Sequence, residues 1–483
     1  MNKNTSCASI YYKSIFTSRN DNELEKLAQI KRFMERFTAD NIFRDKLNGF
    51  SISKSQLFAD YGIVIDPQEI LPLWHYKTYN EQKQDWPLAN LYRSFIDDLH
   101  KYRSLVRDQV NMSIICPRFH SWRQRQIARC SSEMPASSNA NTYPIIAFEL
   151  SQGCSMGCWF CGVSAEKFEG YYPYTKENAM LWNDIIHISF NIFGKAMYTG
   201  FCYWSTEPSD NPDYVKFIID YQKITGHFPQ TTTAAPLKNI DQTKEIMRLS
   251  NLYRCAPYRF SVISLPILNK IHQNFSAREL VNIELICQNK ESNTILSSSG
   301  RAREYINKPN KINDLNLFVN IKDEHASIAC ISGFLVNMIT KTVKLVSPVP
   351  ASKQWPLGYR IHDKRCFRDK DEYKDIIMSM INRNMIESIP SQTLVSFRKD
   401  LEFTPLSNSF EEGFILKNRW VEHKSIGSSL VKQFGELVAT GKYTANELKN
   451  NLISKGYEPF QVCCILQDFF DNGMLNDEHI LYE

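Results

Sequence analysis

Residues 143–168 read YPIIAFELSQGCSMGCWFCGVSAEKF. The first half is a short apolar run of strand character, and the second places Cys154, Cys158 and Cys161 in a C-x3-C-x2-C pattern. From here the rhythm becomes apolar strand-like runs alternating with helical stretches, which argues for parallel βαβ units in a barrel or a doubly wound sheet. Sites in such sheets lie at the carboxyl ends of strands, where this cysteine loop falls.

Downstream, "AMYTGFCYW", "FPQTTTAAP" and "YRFSVISL" read as further strands. "KENAMLWNDIIHISFNIFGK", "NPDYVKFIIDYQKITG", "DQTKEIMRLSNL" and "ILNKIHQNFSARELVNIELICQ" read as helices. "SIACISGFLVNMITKTVKLVSPV" reads as two strands joined by a turn. Upstream, "NDNELEKLAQIKRFMERF" carries apolar residues at helical spacing and opens a helical module over residues 1–140, with the linker "SSEMPASSNANTYP" at its end. The barrel region is assigned to 141–350 and a segment completing the active site to 351–409. Residues 410–483 are expected to form a winged-helix-like domain, in which Thr444 and Glu447 make a capping box.

The 483 residues suggest about three domains. Hydrophobic residues make up 43% and charged residues 23%, the usage of a folded globular chain. The 57 basic and 52 acidic residues form no block of one sign, so no nucleic-acid partner is expected. No signal peptide or transmembrane run is evident, which predicts a cytoplasmic protein without a membrane partner. Thirteen cysteines in such a chain are not expected to form disulfides.

Two metals suit the three thiols. Structural zinc wants a closed set of four ligands, and no second knuckle lies nearby. A [4Fe–4S] cluster held by three thiolates leaves one iron open. The loop, with Phe160 before the last cysteine and a strand ahead of it, resembles the radical S-adenosylmethionine (SAM) superfamily. That resemblance implies one [4Fe–4S] cluster on Cys154, Cys158 and Cys161, with SAM on the open iron. Reductive cleavage of SAM then gives a 5′-deoxyadenosyl radical. It also implies that Thr206 and Glu207, in "STEP", occupy the turn binding the SAM amino group, and that Thr232 and Ser261 offer hydroxyls to SAM.

"FMERFTADNIFRDKL", "WRQRQIARC", "AFELSQGCSMGCWFCGVSA", "CYWSTEPSDNPDY", "GRARE" and "WPLGY" extend the likeness to the radical SAM epimerases of ribosomal peptides, the proteusin class in particular. The implied reaction inverts L-residues of a leader-bearing precursor peptide. The α-hydrogen is removed from one face, and a protein thiol returns hydrogen from the other. An electron donor such as flavodoxin or ferredoxin is implied. Cys366, in a polar segment, is the preferred donor, and Cys330, on an apolar run, the alternative. The C-terminal domain is a candidate for leader recognition. Other readings are peptide C-methylation or crosslinking, or a zinc-bearing peptide-binding protein.

Overall fold

The computed structural model describes residues 6–49, 52–75, 86–113, 115–135, 141–294, 298–307, 330–408 and 411–477. The expected linker falls partly outside the described residues, at 136–140, as do residues 327–329 at the start of the expected strand pair. The fold is mixed α/β with several sheets.

The amino-terminal helices form where the apolar period predicts them. Helix Asp21–Ala39 starts at a reciprocal capping box between Asn20 and Glu23, and buries Leu24, Leu27, Ala28, Ile30 and Phe33. With helices Cys7–Thr17 and Pro87–Ser113 it makes one apolar cluster, which takes in Ala277 and Val281 from the sheet region. Its other face binds the sheet region through Arg32, which donates to Phe275 O at 2.6 Å, and through Glu35, 3.2 Å from His272 Nε2.

The strands follow in order: β1 (Ile146–Glu149), β2 (Ser151–Gln152), β3 (Gly170–Tyr171), β4 (Thr231–Thr233), β5 (Tyr258–Val262), β6 (Ile283–Cys287), β7 (Gly333–Asn337), β8 (Thr342–Pro348) and β9 (Tyr359–Cys366). β4, β5 and β6 pair in parallel. Phe201 bridges in parallel both to Ala147 on β1 and to Gln230 just before β4. β7 pairs in parallel with β1 on its other side, and β8 and β9 extend that sheet antiparallel. The spatial order is therefore β6, β5, β4, Phe201, β1, β7, β8, β9.

Because side chains alternate across a strand, this array has two distinct faces. Ile146, Phe148, Phe334, Val336, Val343 and Leu345 enter the main core with Trp182, Ile185 and Tyr221 of the covering helices. Each such fully buried side chain contributes about 1.5–3 kcal/mol. Ala147 and Leu335 face the opposite way, into a small cluster with Phe201, Trp204, Ile331, Val346 and Tyr359.

Two elements differ from the sequence expectation. The strand expected at "AMYTGFCYW" is a 3-10 helix, Gly194–Thr199, followed by the single bridge at Phe201. The chain passes so close to the covering helix there that a Cβ on Gly200 would lie 2.2 Å from Tyr221 Oη. The helix expected over "ILNKIHQNFSARELVNIELICQ" ends at Asn274, where Phe275 turns extended, and residues 283–287 become β6. Its β-branched Ile283 and Ile286 pair with Tyr258 and Ser261 of β5, so the neighbouring strand overrides the helical pattern.

The carboxyl-terminal part has its own core, from Val395 and Phe397 to Phe470 and Leu475. It comprises the antiparallel sheet β10 (Glu402–Asn408), β11 (Glu411–Lys417) and β12 (Glu422–Ile426), with helices Ser429–Thr440, Ala445–Ser454 and Pro459–Asp471. The β10–β11 hairpin straddles position 410, so this module begins near Val395. The Thr444–Glu447 capping box is present: Glu447 N–H donates to Thr444 Oγ1 at 3.2 Å, and Thr444 N–H to Glu447 Oε2 at 2.8 Å. No described helix is long and apolar enough to cross a membrane.

Candidate functional site at the carboxyl end of the parallel strands

The cysteine loop leaves β1 through β2 and returns at β3. Gly153, at φ +75°, lets it turn: a Cβ there would lie 2.3 Å from Lys167 O. Cys154 N–H donates to Glu166 O at 2.9 Å, closing the base of the loop. Cys154, Cys158 and Cys161 are free and partly exposed. Burial pushes the Cys154 thiol up to about 12 and the Cys158 thiol up to about 11, the latter raised further by Cys161.

Among the described residues no group of three or more His, Cys, Asp or Glu side chains stands ready to hold a metal ion. The three thiols thus share a loop without forming a preassembled ligand set. The loop's chemistry nevertheless fits a thiolate-bound cluster. Met156 N–H points at Cys154 Sγ at 3.5 Å and Ala165 N–H at Cys161 Sγ at 3.3 Å, donors that stabilise negative sulfur.

Asp210 anchors the loop from the side. Its carboxylate accepts from Ser155 N–H at 2.8 Å and Ser155 Oγ at 2.6 Å, and pairs with Lys238 at 2.5 Å. Sequence reasoning passed over Asp210, although it lies in the same "STEPSD" run as Glu207.

Glu207 is buried at 2% exposure. It accepts from Thr233 Oγ1, from Ala234 N–H at 2.8 Å and from Ser209 N–H at 3.2 Å. Burial raises its pKa, and these donors oppose the rise. Ser205, two residues earlier, adopts φ +54°, a left-handed backbone that glycine takes most easily. Thr206 is half-buried in the same turn.

Thr232 and Ser261 are half-buried on β4 and β5, with Gln230 Nε2 donating to Thr232 Oγ1 at 2.9 Å. The ring of Phe160 lies edge-on to Trp159 at 5.5 Å. Cys154, Glu207, Thr232 and Ser261 therefore all lie in loops or strand residues toward the carboxyl end of the parallel array.

The two candidate donor thiols are at opposite ends. Cys330 precedes β7, beside residues that lead into β1: Ser332 N–H donates to Pro144 O at 3.1 Å. Burial lifts its thiol to about 11. Cys366 is exposed and ends β9, whose direction, after two antiparallel steps, is again that of β1 and β7. Pairing runs Glu149↔Asn337, Asn337↔Thr342 and Thr342↔Cys366, one row across four strands. With strands about 4.8 Å apart, Cys366 lies roughly 14 Å from Glu149 along that row, on the face shared with Ala147 and Leu335.

A buried ionic cluster ties the carboxyl-terminal module to the rest. Burial opposes charge on Glu133, yet Arg360, Arg129 and Arg398 hold its carboxyl down at about 2. Arg360 of β9 donates to Glu133 at 2.8 Å, and Arg398 of the module reaches Ser132 Oγ at 2.8 Å.

Residues 395–473 match the family described as the protein y4wI C-terminal domain, a span that begins where the separate core begins. Over 473 residues the chain is 42% identical to the uncharacterized protein y4wI of Sinorhizobium fredii, covering 97% of this chain and 91% of that one. No solved structure matches the chain. With near-complete coverage at this identity, the chain belongs to the y4wI family.

Proposed function

We propose that this protein is a radical SAM peptide epimerase, converting L-residues of a ribosomally made precursor to D-residues. One observation carries the reading: a solvent-accessible thiol, Cys366, ends β9 at the same end of the array, and on the same sheet face, as the strand that leads into the three-cysteine loop. The competing thiol, Cys330, lies at the other end.

In this reading the parallel positions β1, Phe201, β4, β5, β6 and β7 correspond to a partial (β/α)6 barrel. Cys154, Cys158 and Cys161 would hold a [4Fe–4S] cluster, and the Glu207 carboxylate would take the SAM ammonium by a charge-assisted hydrogen bond. Thr206, Thr232 and Ser261 would offer further polar contacts, and Phe160 an apolar one. When bound, the cluster and SAM supply the one-electron chemistry that removes an α-hydrogen.

The remaining work belongs to Cys366. Loss of the α-hydrogen leaves a planar carbon without configuration. The Cys366 S–H bond breaks and a C–H bond forms on the opposite face, leaving a thiyl radical. One electron and one proton then restore the thiol, the electron coming from a flavodoxin or ferredoxin. Residues 395–477 are read as a winged-helix-like module that receives the leader as an added strand on its sheet edge. Incubating the protein with precursor and SAM in D2O tests the reaction: epimerisation puts deuterium at the α-carbon, whereas C-methylation adds a methyl group and crosslinking removes hydrogens.

A further inference from the structure

The cysteine loop is gripped by a segment about 140 residues further along the chain, Ser299–Tyr305. Gly300, at φ +55°, approaches so closely that a Cβ would lie 2.6 Å from Gly162 O and 2.7 Å from Cys161 O. Arg301 N–H donates to Cys161 O at 3.0 Å, Ser299 Oγ to Gly162 O at 2.9 Å, and Arg301 Nη2 to Ala165 O at 2.5 Å. The Tyr305 ring sits 4.7 Å from Trp159. On its other side, Gly300 N–H donates to Pro356 O at 2.9 Å, in the "WPLGY" loop. All four of these hydrogen bonds go to backbone carbonyls, so they fix the path of the loop whatever its side chains.

Arg301 also brings charge. Its side chain is half-buried, its guanidinium is held on the loop by Ala165 O, and among the described residues it forms no ion pair with a carboxylate. A cation held on the cysteine loop, without an acidic partner among the described residues, suits a loop that carries negative charge in its working state. Three thiolates on a cluster supply that charge, and each electron added increases it.

We propose that Arg301 is the charge partner of the cysteine loop: a positioning residue that fixes its backbone and favours the reduced state of the group its thiols hold. This rests on the cluster reading above. A fixed cation near a cluster raises its reduction potential, and a backbone clasp limits loop opening.

The test uses the full-length chain, reconstituted anaerobically, as wild type, Arg301→Gln and Arg301→Lys, with circular dichroism confirming that each is folded. Iron content, the midpoint potential of the cluster and hydrogen exchange of residues 154–168 in the metal-free protein are measured. Arg301→Gln is expected to move the midpoint to more negative potential and to speed exchange in the loop severalfold. Arg301→Lys, which keeps the charge, is expected to recover most of the potential but not the exchange protection. An unchanged midpoint and unchanged exchange in Arg301→Gln would overturn the inference. If wild type takes up no iron, the cluster reading fails by itself. Exchange then decides the clasp alone: faster in Arg301→Gln supports it, and equal rates end it.

Discussion

Cys366 stands directly opposite Thr342 in the β8–β9 pairing, with its sulfur 3.7 Å from the threonine Oγ1. The same row continues through Asn337, whose amide donates to Glu149 at 2.5 Å. A polar row thus links the strand preceding the cysteine loop to the proposed hydrogen donor. Cys366→Ala should leave iron uptake and 5′-deoxyadenosine formation intact while abolishing D-residue formation, with little effect on stability because the side chain is exposed. Cys330→Ala should retain epimerisation. The opposite pattern, read by chiral amino acid analysis, would move the donor to Cys330.

Glu207→Gln replaces one acceptor oxygen by an NH2 donor that faces the N–H of either Ala234 or Ser209, which bond to different oxygens. Cofactor affinity should fall by about tenfold or more, a loss of one charge-assisted hydrogen bond, while iron content is unchanged. Isothermal titration with SAM on the reconstituted protein checks this. Equal affinity would remove Glu207 from the binding site.

Gly153→Ala forces a left-handed backbone on a residue whose Cβ meets Lys167 O. The strain should cost about 2–4 kcal/mol. Because Gly153 adjoins Cys154, iron uptake should fall along with Tm. Gly157→Ala is the control: φ is +58°, but nothing lies within 4 Å of its Cβ, so the cost should stay near 1–2 kcal/mol.

Glu133 carries a pH signature. Its carboxyl is held at about 2 in the folded chain against an unfolded value near 4.3. A depressed carboxyl stabilises above its unfolded pKa, so its contribution, about 3 kcal/mol, should be complete above pH ~4.3 and vanish as pH falls toward ~2. Glu133→Gln should therefore flatten the acid limb of the stability curve over that window. At pH 7 it should cost about 3–5 kcal/mol, since Arg360, Arg129 and Arg398 lose a shared buried carboxylate. Denaturant midpoints between pH 2 and 7 give both numbers.

The local pattern of the sequence was informative wherever a segment's neighbours agree with it. The period-3.6 helices, β1, the β7–β8 pair and the Thr444 capping box all follow from residues close in sequence. β6 did not, because "ARELVNIELICQ" has helical spacing and only its pairing with β5 makes it a strand. The cysteine motif was readable, but its supports were not. Asp210, Ser299 and Arg301 reach the loop from distant segments, through carbonyls and amides that leave no spacing in the sequence. Cys366 was singled out by the polarity of its surroundings. What separates it physically from Cys330 is topology: two antiparallel returns carry β9 back to the end where the cysteine loop begins.

The most direct measurement is the mass and chirality of a cognate precursor after incubation with reconstituted protein, SAM and reductant in D2O. The account predicts one deuterium for each residue converted from L to D, and neither deuterium nor D-residues with Cys366→Ala. A precursor that gains methyl groups, loses hydrogens, or returns unchanged while the protein consumes SAM would contradict it.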